Sequence, residues 1–230
     1  MTFSTSTFAI KLLTILTLSF PLAACGGDEG DDSNAAGRGG SSGSGGSSGS
    51  GGSSGGSFIE VWDFTDGTEG FVPGFSSPDA TLKDAAMVEH DAADGEPDPG
   101  SLSVTIPFSA PEEKVTVALN FPSAIDMSGK VLTAKVRLDS GFGTDPMAPG
   151  GAKLYAKTTS AYVYADGGWL NLDAPGTWQT LTLTLDSPEG YLAEGAWTPA
   201  EVLEIGVEFA ANMGGTWETG EFHVDTIGYK

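Results

Sequence analysis

The chain has 230 residues and a formal net charge of −21, with 31 acidic and 10 basic residues. A field of this sign repels nucleic acid and anionic lipid, so we expect neither as a partner. The single cysteine excludes an internal disulfide framework.

The N-terminal segment is typical of a signal peptide. Lys11 precedes an apolar run that continues to Leu22, which is long enough for a signal-peptide core and too short to span a bilayer. The run ends in Leu-Ala-Ala-Cys at Cys25, a string that resembles the lipobox of bacterial lipoproteins. The resemblance implies that residues 1–24 are removed and that lipid is attached to Cys25. The alternatives are an ordinary secretory signal with an incidental cysteine, and a buried structural thiol.

Residues 25–57 are predicted to form a tether. They contain no aromatic or large aliphatic side chain, and Gly39 to Ser57 is a continuous Gly/Ser tract. Such a segment cannot form a core and behaves as a flexible coil with a reach of roughly 30 Å. Because glycine follows Cys25, the aspartate that retains some lipoproteins in the inner membrane is absent. We therefore expect a lipid-anchored protein of the cell envelope, in the outer membrane, facing either the periplasm or the outside.

Residues 58–230 are long enough for one domain, and their polar and apolar residues alternate with period two. The alternation runs through segments that we interpret as half-buried strands: 102–106, 115–119, 132–138, 181–185, 203–209 and 222–226. Proline and glycine clusters separate them, and no segment has a helix-length period. The one helical signal is Thr198-Pro199-Ala200-Glu201, a capping box good for a single turn. The pattern predicts an all-β, antiparallel two-sheet sandwich.

Two stretches near the ends of this domain resemble the jelly-roll carbohydrate-binding modules of bacteria, which have a galactose-binding-like fold. Residues 62–71 are similar to the first strand of these modules and the acidic loop after it, and residues 222–229 to the last strand. Between them, Gly176-Thr177-Trp178 resembles a strand entry, and Val202 to Val207 the strand that follows a short helical turn. The resemblance implies a jelly roll and leaves the ligand open, because many domains with this fold bind no sugar.

The resemblance also implies a structural calcium ion between the first strand, its loop and the last strand. The candidate ligands are Asp63, Asp66 and Asp225, with backbone carbonyls near Gly67. Calcium takes several hard oxygen ligands in a flexible shell, which suits this set. The chain has Thr65 where many relatives have glutamate. The alternative is that these are ordinary solvated carboxylates in turns.

The outward faces of the predicted strands suggest a saccharide platform. Aromatic rings stack on the C–H faces of sugars, and charged or planar groups hydrogen-bond their hydroxyls. Basic side chains alternate with apolar ones on the strand around 135, and a tyrosine lies between two lysines on the strand around 155. The predicted strand 161–165 presents Tyr162 and Tyr164 on one face, and a tryptophan follows the next turn. The candidates are Lys135, Arg137, Lys153, Tyr155, Lys157, Tyr162, Tyr164 and Trp169. The alternative is that these are common solvent-facing residues, with other tryptophans filling sandwich corners.

Signals for catalysis are sparse. The histidines are His90 and His223, and we interpret His223 as a solvent-side strand residue. No nucleophile, zinc or phosphate-loop motif is present. A glycosidase needs only two carboxylates, so the composition does not exclude one. We expect a monomeric, non-enzymatic module that captures a polysaccharide or oligosaccharide. The alternative is a structural or protein-interaction lipoprotein with no sugar ligand.

Overall fold

The computed structural model of the chain describes residues 59–143, 145–159 and 162–230. The predicted signal peptide, the lipidation site Cys25 and the tether lie outside the described residues. No helix in the described ranges is long and apolar enough to cross a membrane.

Within the described ranges, twelve strands form nearly all of the regular structure. In chain order they are β1 (Ile59–Trp62), β2 (Val72–Ser77), β3 (Met87–Asp91), β4 (Ser101–Ile106), β5 (Lys114–Ile125), β6 (Val131–Gly143), β7 (Gly151–Thr158), β8 (Val163–Asp166), β9 (Leu170–Asn171), β10 (Gln179–Thr184), β11 (Val202–Ala210) and β12 (Trp217–Tyr229). A four-residue helix, α1 (Leu82–Ala85), follows β2, and a single 3₁₀ turn, Pro199–Glu201, precedes β11.

The strands make two antiparallel sheets. One sheet, which we call the back sheet, has the order β10-β6-β12-β4-β3, with β1 also paired to β12. The other, the front sheet, has the order β2-β5-β11-β7-β8, with β9 also paired to β7. Consecutive strands are repeatedly split between the two sheets, as β5 and β6 are, so each sheet is assembled from distant parts of the chain. The predicted antiparallel two-sheet sandwich is confirmed.

The core lies between the sheets and is built from alternate residues of each strand. In β6 the residues Leu132, Ala134, Val136 and Leu138 are buried, while those between them are partly exposed. In β7 the core positions are Ala152, Leu154 and Ala156. Because side chains of a strand point to opposite faces in turn, this phase directs Lys153, Tyr155 and Lys157 to the outer face of the front sheet.

The simple alternation fails at two bulges. In β11 the pairing register shifts between Val202 and Glu204, so Val202 is buried and Leu203, a predicted core residue, is only half buried. In β12 the register shifts between Asp225 and Gly228, and Ile227 takes the core position instead of Thr226. A bulge inserts an extra residue and moves the following side chains to the other face, which a strict period of two does not predict.

The two short helical segments differ from the prediction in detail. The turn before β11 forms at the predicted place, but Thr198 makes no capping hydrogen bond with its side chain, which instead donates to the carbonyl of Ala196. The turn is held by the backbone bond from Glu201 N to the Thr198 carbonyl, 2.8 Å long. Helix α1 was not predicted because four residues are too few to show a helical period.

Candidate functional site

The outer face of the front sheet contains a cavity of about 490 Å³, which we call the front cleft. Its volume is within the range of small-molecule binding sites. Residues from β2, β5, β7, β8 and β11, and from the loop before the 3₁₀ turn, line it: Phe75, Lys114, Thr116, Lys153, Lys157, Tyr164, Asp166, Tyr191 and Glu208. The cleft therefore extends across the five strands of the main sheet order.

The floor of the cleft is aromatic. Tyr155 is fully buried, although it points to the outer face, because its ring lies over Gly206 on the neighbouring strand. A Cβ at Gly206 would lie 2.9 Å from the Tyr155 ring and hydroxyl, so any larger residue there would displace the tyrosine. Tyr164 stacks on Tyr155, with ring centroids 5.3 Å apart and planes at 18°. Tyr191 follows at 6.3 Å from Tyr164, and 61% of its surface is exposed.

Each lysine of the cleft is paired with a carboxylate from an adjacent strand. Lys157 Nζ is 2.7 Å from Glu204 Oε1, and Lys153 Nζ is 3.1 Å from Asp166 Oδ2. The third pair is looser. It joins Lys114 to Glu208 at 3.8 Å, and the Lys114 ammonium is also 5.9 Å from the centroid of the Phe75 ring. The charges of the three pairs cancel, so the cleft is locally neutral within a strongly acidic chain.

Asp166 organises one wall of the cleft. Its carboxylate is fully buried and accepts hydrogen bonds from the backbone N–H groups of Gly168 and Tyr191, at 2.9 and 3.0 Å, in addition to Lys153. Its backbone N–H donates to the Tyr191 carbonyl, at 3.0 Å. These bonds fix the loop that carries Tyr191 against the end of β8, so the exposed ring is held in place at the rim.

Burial changes the acid–base properties of the floor. Desolvation raises the pKa of Glu208 above its usual value, and the nearby Lys114 and Lys153 ammonium groups oppose this shift. Burial also raises the pKa of Tyr164, with the Glu208 and Asp166 carboxylates adding to the effect. The pKa of Tyr155 is raised in the same way, first by burial and then by the charge of Glu204. Both phenols therefore remain neutral hydroxyls at any physiological pH.

The two phenols differ in hydrogen bonding. Tyr155 donates to Glu204 Oε1 at 2.7 Å. The Tyr164 hydroxyl is buried and makes no hydrogen bond of normal geometry within the described part of the chain. A buried polar group without a well-formed partner costs free energy, and the Asp166 carboxylate is the polar group that interacts with this hydroxyl.

Four of the eight predicted platform residues come together here. Lys153, Lys157 and Tyr164 line the cleft, and Tyr155 lies beneath them. Tyr155 was predicted as an exposed contact surface, and this part of the prediction is wrong because Gly206 leaves room for the ring to be fully covered. Tyr162 is exposed in the turn between β7 and β8 and does not line the cleft. Trp169 lies beside a separate depression on the same face.

Lys135 and Arg137 do not belong to this surface. Both are in β6, which lies in the back sheet, so the expectation that they share one platform with Lys153 and Lys157 is wrong. Side-chain alternation shows that both β6 and β7 present basic residues outward, but it does not show which strands are neighbours. Lys135 borders a shallow depression with Thr133, Ala134, Thr180 and Thr226.

Arg137 is instead the centre of a polar network on the back sheet. It pairs with Asp94 and Asp139, and its guanidinium is 4.7 Å from the centroid of the Trp178 ring. His223 joins the network through Asp139, with Nδ1 2.5 Å from Oδ2. His223 is on the predicted solvent side of β12, since it alternates with the core residues Phe222 and Val224, but the network covers it and only 8% of its surface is exposed.

Several cleft residues had no signal in the sequence that separated them from ordinary strand residues. Glu204 and Glu208 alternate with apolar residues in β11, as any solvent-facing glutamates would. Phe75 and Tyr191 lie outside the clearly alternating segments. The remaining unpredicted contributors are Lys114, Thr116 and Asp166. Their common position becomes visible only when the strand order is known.

The predicted calcium ligands are dispersed. Asp63 and Asp66 are exposed, and the Asp63 carboxylate accepts a hydrogen bond from Thr65 N, which lowers its pKa. Asp225 is buried and accepts from the backbone N–H groups of Glu96 and Thr226, at 2.5 and 2.6 Å. These three carboxylates do not form one group within 4.8 Å, as far as the described residues extend. The side chains alone do not fit a calcium site, and the ion stays a prediction.

In the described ranges, one set of side chains does bring potential metal-ligand atoms close together: Asp91, Asp94 and His223. Its members already have protein partners. Asp94 binds Arg137 through both carboxylate oxygens, and His223 binds Asp139. The guanidinium supplies the positive charge that a metal ion would otherwise provide, so this cluster is explained as an ionic network.

Comparison with known proteins identifies the family of the domain. A family model described as "Mannanase, galactose-binding domain-like" matches residues 62–226, well over half of the chain. The chain belongs to this family. The matched range contains every residue of the front cleft and every strand of the front sheet. No curated protein matches the chain.

Two solved structures with a similar fold are of carbohydrate-binding modules. One, from a study of the promiscuous specificity of such modules from the β-sandwich superfamily, has a TM-score of 0.52 and 18% identity, and the match covers 74% of this chain and 61% of that chain. Another is the family 11 carbohydrate-binding module of a cellulosomal cellulase of Clostridium thermocellum, with a TM-score of 0.50 and 13% identity, covering 75% and 94%. At these identities the similarity shows the fold. The domain therefore has the β-sandwich of carbohydrate-binding modules.

Proposed function

We propose that this protein is a non-catalytic carbohydrate-binding module that captures a polysaccharide in the front cleft. In this proposal the lipid on Cys25 anchors the protein in the outer membrane, and residues 25–57 hold the domain away from the bilayer. The partners are the glycan and, through the anchor, the membrane, and the domain acts as a monomer.

The observation that carries the proposal is the composition of the cleft. Tyr164 and Tyr191 offer aromatic faces on one side and Phe75 on the other, with hydrogen-bonding groups between them. Sugars present alternating C–H faces and hydroxyls, so a rigid surface that combines rings with charged groups is complementary to them. The aromatic floor and the three ion pairs make this surface pre-organised, which lowers the entropic cost of binding.

The charge balance of the cleft favours an uncharged polysaccharide. Each of the three lysines is matched by a carboxylate, so none of these charges is left for an acidic sugar. The net charge of −21 also repels a polyanion at long range. Because the family is named for a mannanase, neutral mannans are the first ligands to test.

The environment of the carboxylates supports a role in binding. Glycoside hydrolysis needs one carboxyl group that can give up a proton and a second that acts as base or nucleophile. Asp166 and Glu204 are each held by a lysine and by further donors within the floor. Glu208, whose pKa burial raises, therefore has no unpaired carboxylate beside it in the cleft lining to act as base or nucleophile. Incubation with galactomannan, followed by an assay for new reducing ends, tests this directly. Release of sugar at rates above a buffer control would contradict the non-catalytic role.

Affinity electrophoresis tests the proposed function. Gels would contain galactomannan, glucomannan, mixed-linkage β-glucan, xylan or the acidic polymer alginate, with Tyr164→Ala and Tyr191→Ala as cleft variants. We expect at least one neutral polymer to retard the wild type, with both variants retarded less and alginate without effect. Tyr162→Ala removes an exposed tyrosine outside the cleft and should behave as the wild type. If no polymer retards the wild type, the capture role fails and a structural or protein-interaction role replaces it.

A further inference from the structure

Trp169 differs from the other tryptophans of the chain in its exposure. All five lie in the described part, and Trp62, Trp178, Trp197 and Trp217 are half buried or buried, whereas 41% of the Trp169 surface is exposed. An exposed tryptophan forgoes a large part of the free energy that its burial would give. A large exposed ring of this kind is informative about binding where single exposed aliphatic residues are not.

The Trp169 ring is nevertheless fixed. Its Nε1–H donates to Asn171 Oδ1, at 2.6 Å. The ring also lies against the backbone of Gly151, where an added Cβ would be only 2.5 Å from Cε2. Because Gly151 has no side chain, the indole packs directly on its backbone, and any larger residue at this position would clash with the ring. The result is a pre-oriented ring with one side supported by protein and the rest facing solvent.

Beside this ring is an open depression of about 360 Å³, lined by Trp169, Ala211, Asn212 and Met213. Met213 is 78% exposed, so the lining also includes an apolar and accessible side chain. The Asn212 side chain donates to the Pro149 carbonyl and accepts from Met213 N, which orders the loop. The depression thus combines an aromatic ring, a thioether and a fixed loop.

The depression continues the front cleft along the strands. Gly151 and Lys153 are alternate residues of β7, paired with Ala210 and Glu208 of β11 without a register shift between them. Both positions face outward, and they are separated by roughly 7 Å, the rise of two strand residues. A polysaccharide that extends out of the cleft past Lys153 and Glu208 would therefore lie over Trp169 and Gly151.

We infer that the Trp169 depression is a second sugar subsite, occupied by the next residues of the same neutral polysaccharide that lies in the front cleft. This inference rests on the proposed function and extends it. A sugar ring stacks on the exposed face of the indole, and the Met213 side chain adds an apolar contact within the same depression. The subsite contributes only when the ligand is long enough to span both depressions, so it makes the protein select longer chains.

The test compares oligosaccharides of different length by isothermal titration calorimetry. The ligands are mannotriose, mannohexaose and galactomannan, or the corresponding glucan series if electrophoresis favours glucan. For the wild type we expect mannohexaose to bind about tenfold more tightly than mannotriose, the value of one added stacking contact. Trp169→Ala should remove this gain and leave mannotriose binding unchanged. Asn171→Ala keeps the Trp169 ring but removes the hydrogen bond that orients it, so this variant should lose part of the added affinity for mannohexaose.

The controls separate this inference from the proposed function. Tyr191→Ala should weaken binding of both ligand lengths, because it alters the front cleft itself. Tyr162→Ala should change neither. If Trp169→Ala binds the long and short ligands as the wild type does, the second subsite is overturned while the cleft function stands. If Trp169→Ala weakens mannotriose as much as mannohexaose, Trp169 belongs to a single site and the inference is again overturned. Failure of the wild type to bind any member of either series contradicts both proposals.

Discussion

Tyr164 stacks on Tyr155 at a centroid distance of 5.3 Å, so the lining of the front cleft is built directly on a buried ring. The lower ring fills the space above Gly206 and donates to Glu204, which also binds Lys157. Three strands, β7, β8 and β11, are thereby joined on the outer face by one packed unit. The upper ring keeps its orientation because it cannot tilt into this filled space.

Removing the lower ring should therefore cost stability as well as binding. Tyr155→Ala is expected to lower the free energy of unfolding by about 3–5 kcal/mol, the usual cost of deleting a buried aromatic side chain. Tyr155→Phe keeps the ring and deletes only the hydrogen bond to Glu204, so its cost should be about 1–2 kcal/mol. Urea unfolding followed by tryptophan fluorescence measures both. Equal effects of the two substitutions would show that the hydroxyl, not the stacked ring, holds the floor together.

The raised pKa of Glu208 predicts a particular pH dependence. A carboxyl whose folded-state pKa exceeds its unfolded value binds its proton more tightly in the folded protein. Its contribution to stability is therefore full below the unfolded pKa, near 4.5, and is lost as the pH rises through the folded pKa. Glu208→Gln removes this titration. The free energy of unfolding of the wild type minus that of Glu208→Gln should therefore decrease as the pH rises from the unfolded pKa of Glu208 to its folded pKa.

Chemical denaturation of both proteins at closely spaced pH values gives this difference. A difference that increases with pH would mean that Lys114 and Lys153 outweigh burial and lower the folded pKa. Titration of the Glu208 side-chain carboxyl carbon by NMR in the folded protein would then provide the independent value.

How far the sequence predicts this site depends on the range of the interactions involved. Alternation within a strand depends only on the local sequence, so it correctly predicts that Lys153, Lys157 and Tyr164 point to the outer face of their sheet. The neighbours of a strand are set by contacts between distant segments, and no pattern within β6 or β7 shows that they belong to different sheets. For this reason Arg137 was assigned to the wrong surface.

The exposure of a side chain also depends on residues across the sheet. Tyr155 is buried because Gly206, paired with it from β11, leaves room for its ring. Trp169 is oriented because Gly151 lies beneath it in β7. Gly206 lies within the predicted strand 203–209, and Gly151 ends a predicted proline and glycine cluster, but neither position shows in the sequence which ring packs on it. The two ring positions therefore follow only from the strand register.

Chelation tests the predicted calcium ion. An ion that binds only the folded state stabilises it by mass action, so excess EDTA should lower the melting temperature if calcium is bound. Asp225→Asn should reduce this sensitivity, whereas Asp91→Asn, at the other cluster of carboxylates, should leave it intact. Differential scanning calorimetry with and without added calcium gives the comparison. A wild-type melting curve that is identical in EDTA and in calcium would show that no bound calcium ion stabilises the folded domain.

The lipid anchor has a separate test. The full-length protein, expressed in a bacterium grown with radiolabelled palmitate, should incorporate label and partition into the detergent phase of Triton X-114. Cys25→Ser should lose the label and enter the aqueous phase, because the cysteine thiol is the attachment point that the lipobox resemblance implies. Retardation of Cys25→Ser by glycan should be unchanged, since no residue that lines the cleft belongs to the predicted tether. Labelling that persists in Cys25→Ser would contradict the assignment of the modified residue.

Substitution of Arg137 distinguishes the two faces of the sandwich. Arg137→Gln is expected to lower the free energy of unfolding at neutral pH by about 1–3 kcal/mol, because Asp94 and Asp139 lose a charged hydrogen-bond partner. It should leave retardation by polysaccharide unchanged, since Arg137 lies on the back sheet. Loss of retardation in a folded Arg137→Gln variant would restore the sequence-based prediction that this arginine contacts the ligand.

The same variant should also change the response to acid. Arg137 lowers the pKa of Asp94, mainly through the hydrogen bond between the two side chains. A carboxyl with a lowered folded-state pKa contributes stability above its unfolded value of 3.8, and this contribution is lost as the pH falls through the folded pKa. The stability advantage of the wild type over Arg137→Gln should therefore shrink below pH 3.8. Denaturation curves at pH 7 and at several points below 3.8 measure it, with Lys135→Gln as the control on the same strand. An advantage that stays constant into the acid range would mean that Arg137 stabilises the back sheet by packing against Trp178 and not through its carboxylate partners.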